Sequence, residues 1–366
     1  MNVYSLLPNY SVLDLSRTLP GPFCTWLLAG LGARVLAVVD PKGWDVRRGG
    51  HDGLGAREQI LYRNKRRLTL NLKSEEGRQI FFRLLDRADV VMEDFRPGVA
   101  TRLGVDYAAL SAVRPEVVYC SISSFGQDGP YRNRPAHDLN CLALAGLLDL
   151  TGQPEGPPTV PGVQVADLAA GSAAALAILA ALLHRGASGQ GQYIDVSMLD
   201  ATFSWMLLPL IGQLSGRPPT RGTWRLGGSE PSYRVYRCGD GRYISVGCLE
   251  PWLWQNLLDA LGVDDPSGER LEALFATRSR DEWTEMLSGV DACVAPVNTL
   301  REALDDPQLR ARGMFEGGQL SPPFTLPGAP RQPLEPGHER SFDTRSVLAD
   351  LGLDGEFDRL RRNGVI

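Results

Sequence analysis

His137, Asp167 and Glu250 belong to residue types that exchange protons in enzymes. A single histidine is more often structural, and an aspartate before an alanine-rich run usually caps a helix. Glu250 stands before Pro251 in a predicted turn, where an acid is commonly just solvated. Residue type alone therefore leaves catalytic and structural roles open for all three. The other histidines lie in polar or helix-end contexts and carry no catalytic argument: His51, His184 and His338.

The six cysteines give little support to metal or disulfide chemistry. They contain no CxxC pair, and no histidine stands at a metal-ligand spacing from them. We expect buried, reduced thiols, without a metal site or a disulfide framework. A formal charge of −5 and a pI near 5.5 argue against a nucleic-acid-binding protein, which normally needs a basic surface.

Two segments bear on whether the chain enters a membrane. Residues 1–10 lack a basic region followed by an apolar run, so we expect no secretory signal and a cytoplasmic protein. Residues 166–183 are almost uncharged, but their alanine-rich composition gives only a weak preference for hydrocarbon. We therefore expect a buried helix there and no membrane span.

The elements that position these side chains alternate between short β-branched runs and helical segments. This pattern predicts a doubly wound, mostly parallel sheet of the α/β class, with ligands bound beyond the carboxyl ends of the strands. The GxGxxG fingerprint is absent after the first strand, which argues against a dinucleotide and favours another phosphate-bearing ligand. The predicted strands are 11–15, 34–39, 68–72, 89–92, 117–123 and 192–198, and the first predicted helices are 21–32 and 74–87.

Composition shifts in the second half predict a smaller α+β domain. Residues 238–241 form a turn between two alternating runs, which is a strong hairpin signal over 232–249. Helical patterns follow from Trp252, and residues 346–363 look like one or two helices that return to the first domain. The predicted division is 1–190 with 335–366 as the large domain, 191–230 as a linker, 231–320 as the small domain and 321–334 as a return linker.

Five segments in order carry a resemblance to a known family: 12–22, 63–73, 91–98, 124–130 and 189–201. Together they make the chain similar to family III CoA transferases, enzymes of acyl-coenzyme A thioesters. Three further segments, 136–140, 165–168 and 243–251, resemble the α-methylacyl-CoA racemase branch of that family. The resemblance implies coenzyme A as part of the substrate, with no metal or prosthetic group.

The racemase branch implies a role for each of the three acid–base residues. His137 and Asp167 would flank the α-carbon of a 2-methyl-branched acyl-CoA thioester and exchange its proton, while Glu250 would orient His137. Backbone N–H groups at the helix start near Asp167 would stabilise the enolate oxygen. The position that matches His137 is not a histidine in formyl-CoA transferase, so this residue separates the two branches.

Two alternatives remain. In a CoA transferase that moves coenzyme A between carboxylic acids, Asp167 would be the nucleophile that attacks the thioester. A protein that binds coenzyme A without turnover is the third hypothesis, which intact His137 and Asp167 disfavour.

The resemblance also implies a groove for the adenine and phosphate groups of coenzyme A. By default the cationic run Arg63, Lys65, Arg66 and Arg67 is an exposed loop, and its guanidinium groups suit phosphates. The residues implied to line the groove are Thr18, Leu19, Leu70, Lys73, Asp94, Phe95, Arg96 and Arg102.

Two departures from the family pattern affect this groove. Asp40 would repel phosphate, and Lys42 or Arg47 and Arg48 would compensate. Asp94 replaces the usual asparagine, so it can accept from adenine or ribose but cannot donate. Finally, the family implies an interlocked homodimer, in which Glu250 would come from the neighbouring chain.

Overall fold

The computed structural model describes residues 2–42, 60–264, 266–333 and 343–366. Arg47, Arg48, His51 and His338 therefore lie outside the described residues. The chain forms two compact units, which we call the large and the small unit. The large unit comprises Met1–Ala145, Val163–Ser204 and Gln308–Ile366, and the small unit comprises Gly146–Gly162 and Trp205–Pro307.

A six-stranded parallel sheet forms the centre of the large unit. Its strands are β1 Ser11–Asp14, β2 Arg34–Val39, β3 Lys65–Thr69, β4 Val90–Glu93, β5 Val118–Ser123 and β6 Gln192–Ser197. They lie in the order β3-β2-β1-β4-β5-β6, so the strand order reverses between β1 and β4. All residues of β4 and β5 are buried, as expected for a sheet covered on both faces. The predicted doubly wound α/β fold is confirmed.

Helices connect these strands. They are α1 Pro20–Gly30, α2 Glu75–Leu85, α3 Val99–Leu103, α4 Tyr107–Val113, α5 Asp138–Leu144, α6 Val165–Ser188 and α7 Met198–Ser204. Ser74 caps α2 by accepting from the Gly77 N–H, as its sequence predicts. The division into units differs from the predicted one, because residues 192–197 lie in the large sheet rather than in a linker.

Helix α6 packs along α1. Gly171 makes this close approach possible, since a Cβ at this position would lie 2.7 Å from the Pro20 carbonyl oxygen. Among the described residues, α6 alone is long and apolar enough to cross a membrane, and half of its most apolar window is buried inside the protein.

The small unit contains an antiparallel sheet with the strand order β9-β8-β7. Its strands are β7 Tyr233–Arg237, β8 Tyr243–Gly247 and β9 Val294–Pro296. The predicted hairpin is confirmed by β7 and β8, with Gly241 in the left-handed conformation at φ +81°. Helices of this unit include α8 Leu207–Leu214, α9 Pro251–Leu261, α10 Gly268–Phe275, α11 Arg280–Leu287 and α12 Leu300–Asp305, besides the single-turn helices Leu147–Leu150 and Arg225–Gly227.

The chain then returns to the large unit. Helices α13 Pro307–Ala311, α14 Thr344–Asp350 and α15 Phe357–Arg362 follow, together with the turn Asp354–Glu356 and the short strands Phe315–Glu316 and Gln319–Leu320. Strand Arg331–Pro333 pairs with Asn2–Tyr4 near the start of the chain. Leu360 and Val365 are buried in the same core cluster as residues of β1 and β3, and the Asn71 N–H donates to the Val365 carbonyl at 2.8 Å. The predicted return of this segment is confirmed.

Strand β3 begins three residues before the predicted strand, inside the cationic run. The expectation of an exposed loop is wrong for Arg63, Lys65 and Arg67, which are only 1–2% exposed. Lys65 is buried because its ammonium group finds oxygen acceptors in α1, and the Arg67 guanidinium lies 4.5 Å from the centre of the Tyr62 ring. Arg66 alone of the four keeps the expected exposure, and it pairs with Asp350 at 2.8 Å.

Candidate active site

The loop after β1 and the residues after β4 meet where the strand order of the sheet reverses. Asp94 joins them, since its Oδ1 accepts from the Arg17 N–H at 2.8 Å. Its Oδ2 accepts from the Thr18 N–H at 2.8 Å and from Thr18 Oγ1 at 2.6 Å. Burial raises the pKa of the Asp94 carboxyl. Three of its acceptor positions are therefore used to hold the loop, where the sequence predicted an acceptor for adenine or ribose.

A small cavity of about 10 Å³ lies at the carboxyl ends of β1 to β4. Leu70, Lys73 and Phe95 line it together with Arg17 and Asp40, and their expected contact with coenzyme A stays a prediction. The Arg17 guanidinium lies 5.1 Å from the centre of the Phe95 ring. Asp40 lies between two cations, with its Oδ2 at 4.0 Å from Arg17 Nη2 and 3.8 Å from Lys73 Nζ. Its expected repulsion of phosphate is thereby offset, and the sequence prediction had given Arg17 no role.

The other groove candidates differ in their accessibility. Thr18 and Leu19 are half-buried in the loop before α1, whereas Arg96 and Arg102 are exposed after β4 and on α3. A ligand in solvent can therefore contact these side chains. Lys65, in contrast, has a fully buried ammonium group, so it cannot contact a phosphate.

Asp167 lies in the first turn of α6, and another carboxylate caps that helix. Asp138 Oδ1 accepts from the Ala166 N–H at 2.6 Å and from the Asp167 N–H at 3.2 Å. The capping role that the sequence allowed for Asp167 therefore belongs to Asp138. These two N–H groups are consequently occupied, so the expected stabilisation of an enolate oxygen cannot come from them.

The protonation of Asp167 is set by its surroundings. Burial, with further contributions from the negative charges of Asp138 and Asp94, raises the pKa of the Asp167 carboxyl to about 7. The side chain therefore populates both its acidic and its basic form near neutral pH. A general acid–base residue needs this property.

His137 directly precedes α5, with Asp138 as the first residue of that helix. The Asn140 side-chain oxygen accepts from the His137 N–H at 3.1 Å, and the His137 carbonyl accepts from the Asn140 N–H at 3.0 Å. His137 is exposed. Because Asp138 is bonded to the start of α6, it connects the backbone of His137 to the helix that carries Asp167. The sequence prediction had assigned Asp138 no role, although it is adjacent to His137.

Comparison with known proteins decides the family. A model of CoA-transferase family III matches residues 7–334. The chain belongs to CoA-transferase family III. Alpha-methylacyl-CoA racemase of Mus musculus is 35% identical over 376 residues, which cover 96% of this chain and 94% of that protein. Acetyl-CoA:oxalate CoA-transferase of Acetobacter aceti is 32% identical over 361 residues, covering 87% and 91%. A crystal structure of a CAIB/BAIF family protein from Brucella suis superimposes with a TM-score of 0.84 at 30% identity, covering 96% of this chain and all of that one.

The resemblance seen in the five sequence segments is thus confirmed. This family III protein is an enzyme of the CoA-transferase and racemase group, whose members act on CoA thioesters. Racemases and transferases are similar to it at comparable identity, so membership of the family does not by itself select the reaction.

Glu250 of this family III chain belongs to the small unit. It is exposed and directly precedes α9, and its side chain makes no hydrogen bond that caps this helix. Its expected contact with His137 stays a prediction. Among the described residues, no group of three or more histidine, cysteine, aspartate or glutamate side chains is arranged to hold a metal ion. Five of the six cysteines are buried, as expected, whereas Cys293 is exposed, against the expectation.

We expect Asp138→Asn to shift the pH dependence of this family III enzyme to lower pH. The amide oxygen can still accept from the start of α6, but the negative charge that raises the pKa of Asp167 is removed. The acidic limb of kcat/KM should move down by about half a pH unit or more. Asp138→Ala, as a comparison, should also lower the stability by about 1 kcal/mol through loss of the cap. An unchanged pH profile in Asp138→Asn would contradict the assigned influence of Asp138 on Asp167.

Proposed function

We propose that this family III protein racemises 2-methyl-branched acyl-CoA thioesters by 1,1-proton transfer. One arrangement carries the proposal. Asp167 has a pKa of about 7, and His137 is adjacent in sequence to Asp138, whose carboxylate caps the helix of Asp167. The likeness to alpha-methylacyl-CoA racemases supports the same reaction. Coenzyme A is part of the substrate in this proposal, and no prosthetic group takes part.

In the proposed mechanism His137 and Asp167 act from opposite faces of the α-carbon. For one epimer, neutral His137 removes the α-proton, an enolate forms at the thioester, and protonated Asp167 returns a proton to the other face. For the opposite epimer the two roles are reversed. Asp167 must therefore be protonated for one direction and ionised for the other. A pKa of about 7 supplies both forms in similar amounts near neutral pH.

The second candidate function is transfer of coenzyme A between carboxylic acids. It is favoured by the likeness to several CoA-transferases, including succinate–glutarate CoA-transferase of Agrobacterium fabrum at 31% identity. Here ionised Asp167 would attack the thioester carbonyl, which forms a mixed anhydride and releases the coenzyme A thiolate. A raised pKa lowers the fraction of ionised Asp167 at neutral pH, and this observation favours the racemase.

The deciding experiment follows one epimer of a 2-methylacyl-CoA in heavy water. We expect deuterium at the α-carbon, detected by mass spectrometry and NMR, together with loss of epimeric purity. A parallel reaction contains an added carboxylate, such as succinate. Transfer of coenzyme A to that carboxylate without α-exchange would exclude the racemase and leave the transferase.

We further propose a cytoplasmic homodimer in which Glu250 of the neighbouring chain orients His137. Exposed leucines in both units support an assembly that covers them. Leu176 and Leu183 on α6 are 71% and 78% exposed, and Leu207 and Leu214 on α8 are 61% and 79% exposed. Sedimentation equilibrium should give twice the 39.9 kDa of the chain, and a monomer mass would contradict this assembly.

A further inference from the structure

A buried ion pair lies directly beneath the loop that leads from β1 into α1. Lys65 Nζ lies 3.5 Å from Asp14 Oδ2, and both side chains are at most 1% exposed. Lys65 also donates to the Pro22 carbonyl at 2.8 Å and to Thr25 Oγ1 at 2.6 Å. The Thr25 hydroxyl donates in turn to Asp14 Oδ2 at 2.5 Å. One ammonium group is therefore bonded to both the carbonyl and the hydroxyl of the first turns of α1 and paired with the end of β1.

The other oxygen of Asp14 holds the loop itself. Asp14 Oδ1 accepts from the Ser16 N–H at 3.0 Å and from the Ser16 hydroxyl. The next two residues are held by Asp94, as described above. Gly21 fits closely over this arrangement, because a Cβ there would lie 2.2 Å from Ser16 Cβ. Two carboxylates thus fix consecutive residues of the loop that carries Thr18 and Leu19.

The same start of α1 also contacts the helix of Asp167. Gly171 lies four residues after Asp167 and hence on the same face of α6. A Cβ at Gly171 would come within 2.7 Å of the Pro20 carbonyl oxygen and 2.9 Å of the Phe23 ring. The start of α1 is therefore also held by its close packing against α6.

We propose that Lys65 and Asp14 form a positioning pair, which holds the loop of Thr18 and Leu19 in the conformation that binds coenzyme A. The proposal rests on the proposed function in that the loop is taken to contact the coenzyme. Neither residue of the pair touches the ligand, because both are enclosed in the protein. The pair acts through the Ser16 backbone, the Pro22 carbonyl and the Thr25 hydroxyl.

Stability alone gives a poor reason for this pair. The free-energy cost of removing two charges from water offsets much of their mutual attraction. A protein with well-packed neutral residues of similar volume in their place is often equally stable. Besides the ion pair itself, five hydrogen bonds reach these two side chains, and all of them come from the loop after β1 or the first turns of α1. This distribution is what a device for fixing the loop requires.

The test compares variants that separate stability from coenzyme binding. Lys65→Met alone leaves Asp14 as an unpaired buried charge and is expected to unfold readily. Lys65→Met combined with Asp14→Asn leaves no unpaired charge at this site and should recover much of the melting temperature that Lys65→Met alone loses. Thr25→Val removes only the bridging hydroxyl at nearly constant volume. Arg34→Met is the matched control, since it removes an exposed cation at the amino end of β2, away from the strand ends where the ligand is proposed to bind.

Coenzyme A binding is measured by titration calorimetry, and KM and kcat are measured with an acyl-CoA and with the matching acyl-pantetheine. For the double variant we expect the Kd of coenzyme A and the KM of acyl-CoA to rise about tenfold or more, and for Thr25→Val about threefold. Turnover of acyl-pantetheine, which lacks the nucleotide, should stay near that of the wild type. Arg34→Met should match the wild type in every measurement.

Three results would separate the possibilities. Folded double-variant protein that binds coenzyme A as tightly as the wild type would show that the pair serves stability alone and would overturn the proposal. If the double variant does not fold, an unchanged Kd in folded Thr25→Val overturns it equally. Wild-type protein that fails to bind coenzyme A would refute the proposed function instead, before any variant is compared.

Discussion

Asp167→Asn is expected to abolish turnover and, at the same time, to stabilise the folded protein above neutral pH. An amide can neither accept nor return a proton under these conditions, and it cannot form a mixed anhydride. We expect a loss of kcat of about 10³-fold or more, whichever of the two candidate reactions the enzyme performs. Activity close to that of the wild type would remove Asp167 from the mechanism altogether.

The effect on stability follows from the raised pKa of this carboxyl. The pKa is about 7 in the folded protein against an ordinary value of 3.8, so between these values the folded state holds a proton that the unfolded state releases. The contribution of Asp167 to stability is therefore complete below about pH 4 and is lost as the pH rises through 7. Asparagine does not titrate, and the variant should exceed the wild type by roughly 1–3 kcal/mol at pH 8.5.

Thermal denaturation at pH 4.5 and pH 8.5 checks this expectation. The difference between Asp167→Asn and the wild type should be small at the lower pH and large at the higher. A difference that does not change with pH would mean that burial and Asp138 do not raise the pKa of this carboxyl.

The second large effect concerns His137→Gln, which should stop racemisation while one half of the chemistry survives. Asp167 can still remove the α-proton of the epimer whose α-proton faces it. It can then return a deuteron from heavy water to the same face. We expect α-exchange without inversion for one epimer, no exchange for the other, and a loss of racemisation of about 10³-fold. NMR in heavy water combined with chiral analysis of the acyl group measures both quantities.

His184→Gln is the matched control for this variant. His184 is exposed near the far end of α6 and should leave racemisation unchanged. If His137→Gln instead keeps full racemase activity, the two-base mechanism is wrong. If it transfers coenzyme A to carboxylates at the wild-type rate, the transferase is the function of this enzyme.

The sheet could be predicted because its strands are apolar and its helices carry recognisable caps and periodicity. The prediction placed the start of strand β3 three residues too late, because a run of arginine and lysine is typical of a solvated loop. Its burial depends on acceptors that lie far away in the sequence, such as the Pro22 carbonyl, 43 residues from Lys65. No local pattern contains that information. The domain boundaries were shifted for a related reason, since strand β6 joins a sheet whose other strands end 69 residues earlier.

The candidate site, like the sheet, could be predicted only in part from local sequence patterns. His137 and Asp167 were predicted from their types and from the resemblance to family III, and their catalytic role stays a prediction. The role of Asp138 was not predicted, because its bond to α6 spans 28 residues and its side chain resembles any other acid near a helix start. Asp94 was predicted to accept from the ligand, whereas two backbone N–H groups and a hydroxyl of the neighbouring loop occupy its oxygens. Hydrogen-bond partners of this kind become visible only when the fold brings distant segments together.

The packing of Leu360 and Val365 into the core of the large unit has a consequence for synthesis of the chain. On the ribosome, strands β1 to β6 emerge long before residues 344–366, which complete the core beside β3. Part of the apolar surface of the large sheet therefore stays uncovered while the whole small unit is translated. That interval is when a chaperone that shields nascent apolar segments would be of most use to this protein.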